Sequence, residues 1–352
     1  MLLRSALCLS FLLASNQATA IPDLPEPVSN NAVASTTVRG KTYVLSAMGM
    51  GPGKQATDIH NKVWMHSLGE FNWAEMPPVP SQQRLNGRIG ASAIALNNNF
   101  FIFGGASLDN NGQLLTANDS YRFDPITRRY TKLNDMPVPV NDAAIVSYQN
   151  RYIYLISGWS DHGNVNLVQL FDNFTQRWSQ ATPFPGKPVF GLAAAIHDNI
   201  ILVCDGVSID YPKGQPRQFV MEPACWQANI GSNANQLSWQ QVAHPTGQGR
   251  FRMAASTVIV NNKPLFAFIG GSHTPYIANG IGFSGKAAEP DSAIWLYSPT
   301  ESTWLDTQSG SAVIDLTGAV ELNGLLYTLG GMQSGQQVIN KPISHQINLL
   351  PN

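Results

Sequence analysis

Charge is scarce in this chain. Only 12% of its 352 residues are Asp, Glu, Lys or Arg, and the formal net charge is −1. No basic patch of the kind that neutralises phosphates is visible, which argues against a nucleic-acid partner. Long hydrophobic runs are also missing. None is long enough to span a bilayer, so no membrane insertion is expected. The seven histidines show neither H-x-x-x-H nor H-x-H spacing, which argues against zinc. No G-x-S-x-G is present, so the nucleophile turn of an α/β-hydrolase is absent. No metal and no cofactor is expected.

Cysteine is limited to three residues. Cys8 falls in an N-terminal segment that reads as a secretory signal. Arg4 gives it a positive start, Ala6–Ala14 is mostly apolar, and Ala18-Thr19-Ala20 is a small-x-small cleavage site. Residues 1–20 are therefore excluded from the fold, and the remainder, 21–352, is expected to be periplasmic or secreted. In an oxidising compartment Cys204 and Cys225 are either a disulfide across neighbouring strands or two small buried hydrophobes.

What the chain does have is turn-rich β sequence, with 43% hydrophobic residues, 30 Gly and 23 Pro. Phe100–Gly105, FFIFGG, reads as a buried strand that stops at a glycine pair. A strand of small and branched residues precedes it after Arg88. An Asp-Pro hairpin, Asp119–Tyr130, follows, and Met136-Pro137 closes the unit. Four strands make one propeller blade.

The same cassette recurs. Its second strands are Thr42–Gly49, Tyr152–Gly158, Ile200–Gly206, Leu265–Gly271 and Leu325–Gly331. The last cassette lacks an outer strand, and the chain after the signal opens with Ile21–Pro27, the end of a blade without its beginning. Joining them removes an open sheet edge. The expectation is an all-β, single-domain, six-bladed β-propeller whose last blade is completed by an N-terminal strand.

Glycine pairs after an apolar strand, and an aromatic beginning each outer strand (Trp73, Tyr130, Trp178, Trp239, Trp304), resemble kelch repeats. The resemblance implies the fold. It does not fix function, which resides in sites grafted on the fold.

Aligning the innermost strands by their small-residue cores sets Arg88, Asp142, Phe190, Arg252 and Asp315 at one position, just before each strand. Innermost strands ring the central channel, so two arginines and two carboxylates are expected at one mouth of it. Arg84 and Arg250 are expected at its rim. Arginine forks match carboxylates and sugar hydroxyls, and carboxylates supply general bases. A channel-capping ion-pair network is the structural reading of the same residues. Asp205–Arg217 is a second candidate, carrying Asp205, Asp210, Tyr211, Lys213 and Arg217; a solvated loop is its alternative. His273–Asp291 is a third, a long glycine-containing loop read as a lid over the mouth. A copper-radical oxidase on this fold needs Tyr, Cys and His ligands together, and the cysteines do not stand in such a context.

An export signal, a short Pro-rich start, six blades without added domains and a long blade-five loop together resemble the bacterial N-acetylneuraminate epimerase (sialic acid mutarotase) family. The nearest local match is Lys213-Gly-Gln-Pro-Arg217, and by that resemblance Arg217 serves the sugar. The family's proposed catalytic Glu falls at Val207 here, leaving Asp205 or Asp210 as substitutes. The family's long blade-three insertion has no counterpart. The resemblance implies interconversion of the anomers of an acidic sugar. Asp142, Asp315, Asp205 and Asp210 are then the catalytic candidates, and Arg88, Arg252 and Arg217 the substrate-binding ones. The rival reading is a non-catalytic propeller that binds a glycan or a protein.

Overall fold

The structure, a computed structural model, describes residues 21–108 and 113–349. The expected signal segment and Cys8 lie outside the described residues. The chain forms six β-sheets arranged as blades. Blade 1 is Ala32–Val38, Lys41–Met50, Ile59–Ser67 and Trp73–Met76, paired antiparallel in sequence order from the axis outward. Blades 2, 3, 4 and 5 repeat that order from innermost strands Ser92–Leu96, Ala144–Tyr148, Ala193–His197 and Ala254–Val260. Blade 6 has three strands, Val320–Leu322, Leu325–Leu329 and Pro342–His345. Each innermost strand contacts the next, and the last contacts the first, so the ring is closed.

The residues explain the layers. Innermost strands crowd around the axis, and Ala, Ser and Thr keep them close. They line a channel of ≈ 350 Å³. Second strands such as Phe100, Phe101, Ile102 and Phe103 are buried on both faces, because each blade is sandwiched between two others. The core is accordingly a set of wedges between blades. One joins blades 1 and 2 around Leu45, Met65, Phe100 and Phe123, another joins 3 and 4, and another 4 and 5.

The outer-strand aromatics have a further task. The Trp73, Trp178, Trp239 and Trp304 indoles donate to the carbonyls of Pro22 (2.9 Å), Asn134 (2.9 Å), Thr182 (3.4 Å) and Ala243 (2.6 Å). The Tyr130 hydroxyl donates to Pro77 O at 2.9 Å. Each ring thus packs on its own blade and clips the end of the preceding one, which requires an aromatic with a polar handle.

The N-terminal segment closes the ring on the last blade, in a form other than a paired strand. Pro22, Pro25 and Pro27 lack the N–H that a ladder needs. Leu24 instead exchanges bonds with Asn340, at 2.8 Å from its amide and 3.1 Å to its carbonyl. Val28 N–H donates to Ile339 O at 3.2 Å, and Gly331 N–H to Val28 O at 2.8 Å. Ile21, Leu24 and Val28 fill the wedge between blades 6 and 1. Cys204 and Cys225 are directly opposed on neighbouring strands of blade 4 and form a disulfide, S–S 2.05 Å.

Candidate functional site at the covered mouth

A residue shortly before each innermost strand adopts the left-handed conformation: Asn30, Gly90, Asp142, Gly191, Arg252 and Asp315, with φ between 49° and 67°. Backbone bonds link them around the axis. Asp142 N donates to Gly90 O (2.8 Å), Gly191 N to Asp142 O (2.8 Å), Arg252 N to Gly191 O (2.9 Å), Leu316 N to Arg252 O (3.1 Å) and Asn30 N to Asp315 O (2.9 Å). The Asn30 side-chain oxygen accepts from Gly90 N and closes the belt. Gly191 is required twice over: its φ is +67°, and a Cβ there would lie 2.1 Å from the Phe251 ring.

Three of the expected charges meet on this belt. The Arg252 guanidinium forks onto Asp142 through Nη2 (2.8 Å) and Nε (3.2 Å), and reaches Asp315 through Nη1 (2.8 Å). Asp315 Oδ1 also accepts from Asn30 Nδ2 (2.8 Å) and Tyr276 Oη (3.3 Å). Arg252 is 6% exposed and Asp315 fully buried. Burial opposes the charge on Arg252, but Asp142 and Asp315 outweigh it and hold its pKa above the ordinary value. Burial, then Asp315, pushes the Tyr276 hydroxyl well above its usual range.

Arg88 does not join them. It lies two residues before the belt position Gly90 and points into blade 2. There it donates to Gly104 O (3.2 Å) and Pro80 O (3.1 Å) and faces Asp119 at 3.5 Å. Its counterpart is Arg250, which donates to Gly270 O (2.8 Å), Ala293 O (2.7 Å) and Phe268 O (3.2 Å) of blade 5. Arg250 therefore does not rim the channel, and Arg84 sits in an exposed turn. Phe190 is likewise displaced by one; the belt residue is Gly191. Matching the small-residue cores slid these registers. The missed signal was the type of residue that favours positive φ, present as Asn30, Gly90, Asp142, Gly191 and Asp315.

Asp205 is buried inside blade 4, outside the mouth. His244 Nδ1 accepts the Gly247 amide at 2.8 Å, so the ring proton sits on Nε2 and is donated to Asp205 at 2.7 Å. Arg250 N also donates to Asp205, at 2.7 Å. Burial raises the Asp205 pKa against the pull of His244 and Arg250. Asp205, Cys225 and His244 lie close enough to suggest a metal. The set does not fit one, because Cys225 is in the disulfide and the histidine is engaged on both nitrogens.

The long blade-five loop lies across the axis. Tyr276 is buried on Phe251, ring centroids 5.0 Å apart. Ala278 packs against Met50, Ile59 and Ile89 of blades 1 and 2. Phe283 stacks on Phe219 of blade 4 at 3.8 Å, and Gln336 of blade 6 reaches Ala288 O at 3.5 Å. The axial charges thus lie beneath the loop.

The neck of the loop is charged. His273 Nδ1 faces Gly249 O at 2.9 Å, and Nε2 faces Asp291 at 3.3 Å. Two acceptors need two N–H donors, so the imidazolium satisfies both. Arg250 lies 3.8 Å from the same carboxylate. The Asp291 contact raises the His273 pKa above 6.5, and burial of the ring opposes it. This contribution is complete below pH 6.5 and is lost as pH rises through the raised folded value. Hydrogen exchange of residues 273–291, corrected for intrinsic rates, is expected to quicken through that window; a flat corrected profile would contradict a role of the His273–Asp291 contact in holding the loop.

Beside the loop is an accessible aromatic cluster. The exposed Arg217 guanidinium sits 5.7 Å from the Trp159 ring centre and 5.3 Å from that of Phe219. Trp159 lies on the hairpin Trp159–Ser160/Gly163–Asn164, and Phe219 on Val207–Asp210/Gln218–Met221. Asp210 pairs in register with Gln218, next to Arg217, and its side chain is exposed. Val207 is fully buried at the root of this hairpin.

The family model for the KLHDC2/KLHL20/DRC7 Kelch-repeats domain matches residues 32–271. Among curated proteins, Beta-scruin of Limulus polyphemus is 28% identical over 160 residues, 45% of this chain and 17% of that protein. Kelch-like protein 25 of Xenopus tropicalis is 23% identical over 226 residues, 63% and 36%. N-acetylneuraminate epimerase of Salmonella arizonae is 26% identical over 160 residues, 45% and 38%. The matched stretches are thus well under half the length of these relatives. A solved structure, that of YjhT, superposes with a TM-score of 0.71 at 15% identity, covering 92% of this chain and 96% of that one; this likeness concerns the fold. Closed six-fold blade geometry and the match over most of the chain lead to one statement: the chain belongs to the kelch-repeat family.

Proposed function

We propose that the protein recognises an acidic sugar at the aromatic cluster beside the loop, and that binding is the function its geometry supports best. The observation that carries this reading is the engagement of the carboxylates. Asp142 and Asp315 are tied to Arg252, and Asp205 to His244 and the Arg250 amide. Each is ion-paired or hydrogen-bonded and withdrawn from solvent, so none offers a substrate an accessible oxygen. Arg217 is exposed and held against two rings, so its fork is available to a sugar carboxylate, while the half-buried Trp159 and the exposed Phe283, stacked on Phe219, supply apolar surface beside it.

A second reading, turnover of N-acetylneuraminate anomers, is favoured by Asp210. It stands beside Arg217 on one hairpin and enters no ion pair among the described residues. In that reading Arg217 holds the carboxylate and Asp210 takes the anomeric hydroxyl proton. Similarity to an N-acetylneuraminate epimerase supports the choice of sugar in both readings.

Titration with N-acetylneuraminate, together with anomer exchange by NMR, separates them. Binding with exchange at the spontaneous rate is expected. Arg217→Ala is expected to weaken binding about ten- to a hundredfold, the loss of a charge-assisted fork. Accelerated exchange that Asp210→Asn abolishes would establish the second reading. Absence of binding would remove both.

A further inference from the structure

The face opposite the loop carries an asymmetry that the sugar reading does not use. Blades 1 to 5 send their inner and outer hairpin turns to this face, and blade 6 its inner turn. In blades 1, 2 and 3 the tip of the outer turn is apolar: Phe71, Ile126 and Phe174, which are 90%, 47% and 83% exposed. The turns that carry them are built, since Asp124 Oδ1 accepts the Ile126 amide at 2.8 Å and Asp172 Oδ1 the Phe174 amide at 2.9 Å. The corresponding turns of blades 4 and 5 are 231–236 and 299–302, without a large apolar residue.

Charge follows the same division. Arg39, Lys41, Arg128, Arg129, Arg151 and Arg177 are exposed on or beside the turns of blades 1 to 3. Lys41 pairs with Glu70 at 2.9 Å and Arg151 with Asp172 at 2.7 Å. Arg39, Arg128, Arg129 and Arg177 enter no ion pair among the described residues. The Arg151 guanidinium lies 5.5 Å from the Phe174 ring centre, so cation and apolar tip occupy one spot. On the blade 4 and 5 side the exposed turn charges are Asp198 and the pair Lys263–Glu301, at 3.3 Å.

We propose that this half of the face docks on a lipid bilayer surface rich in anionic headgroups. The unpaired arginines supply charge complementarity to the headgroups, and the protruding phenylalanines enter the interfacial region. Phe71 and Phe174 project from the surface, with the Arg151 guanidinium lying against Phe174. A rigid protein partner would need a pocket for each separated tip, whereas an interface of mobile lipids accommodates all of them without matching. Docking in this way leaves the loop-covered mouth facing away from the membrane.

Co-sedimentation with lipid vesicles tests this. The protein is expected to sediment with vesicles containing about one-third phosphatidylglycerol, and to stay in solution with phosphatidylcholine alone. The double variant Phe71→Ser/Phe174→Ser is expected to reduce partitioning about tenfold with an unchanged melting temperature. Arg128→Gln/Arg129→Gln is expected to flatten the salt dependence. Failure to sediment with phosphatidylglycerol vesicles would overturn the proposal. So would salt-sensitive binding indifferent to the phenylalanine changes, which would indicate adhesion to an anionic polymer instead.

Discussion

Arg252→Ala is expected to destabilise the protein by about 3–5 kcal/mol, read as a fall in the midpoint of chemical denaturation. The substitution leaves Asp142 and Asp315 buried, close together and without their cation. Asp315 already has one buried oxygen, Oδ2, with no partner among the described residues, so it has no spare means of compensation. It also removes the one belt residue whose left-handed conformation is not favoured by its own type. Alanine at φ +51° keeps the strain and loses the ion pairs that held it. Most of the loss is expected to return in the triple variant Arg252→Met/Asp142→Asn/Asp315→Asn, because the penalty is that of unpaired charge more than of a missing contact. A single variant as stable as the parent would mean that water reaches the axis and solvates the carboxylates.

Arg250→Met is expected to cost a similar amount, about 3–5 kcal/mol, for a different reason. Arg250 makes its strongest contacts with backbone. Its guanidinium holds the carbonyls of Phe268, Gly270 and Ala293 and lies 3.5 Å above the centre of the Trp295 ring. Burial pulls its pKa down to about 10 against the attraction of Asp205 and Asp291, so it stays charged at neutral pH. Methionine fills much of the volume on the indole but leaves the carbonyls without a donor. The variant is also expected to loosen the neck of the loop, since Asp291 loses a neighbouring cation. Hydrogen exchange of residues 273–291 would show this as faster opening. Arg217→Ala, on the exposed hairpin, should leave both denaturation and loop exchange unchanged.

The blades were legible because their signals are local. An apolar run ending in glycine, as at Phe100–Gly105, states a buried strand and its exit within six residues. The outer-strand aromatics were equally visible, although the carbonyls they clip are supplied by the preceding blade. The placement of charges was only partly legible. Asp142, Arg252 and Asp315 do converge, because each occupies the belt position of its own blade. Arg88 does not, because its resemblance to Arg252 in sequence context hides a two-residue offset, and in a strand-like repeat two residues preserve the face while changing the depth. The fate of Asp205 depended on His244, which lies 39 residues away and carries no motif. The loop's course over the axis rested on scattered contacts of Tyr276, Ala278 and Phe283 with separate blades, which no local pattern encodes.

The docking of Ile21–Val28 against Ile339 and Asn340 has a bearing on assembly. These residues emerge early from the ribosome, yet the groove that receives them exists only once the sixth sheet has formed. Blades 1 to 5 can grow by contact with the neighbour made just before, but the join cannot. Until it is made, the wedge that Leu24 and Val28 will occupy stands open to solvent on two sheets at once. Ring closure is therefore the step at which a nascent chain is most exposed to pairing with another copy of itself.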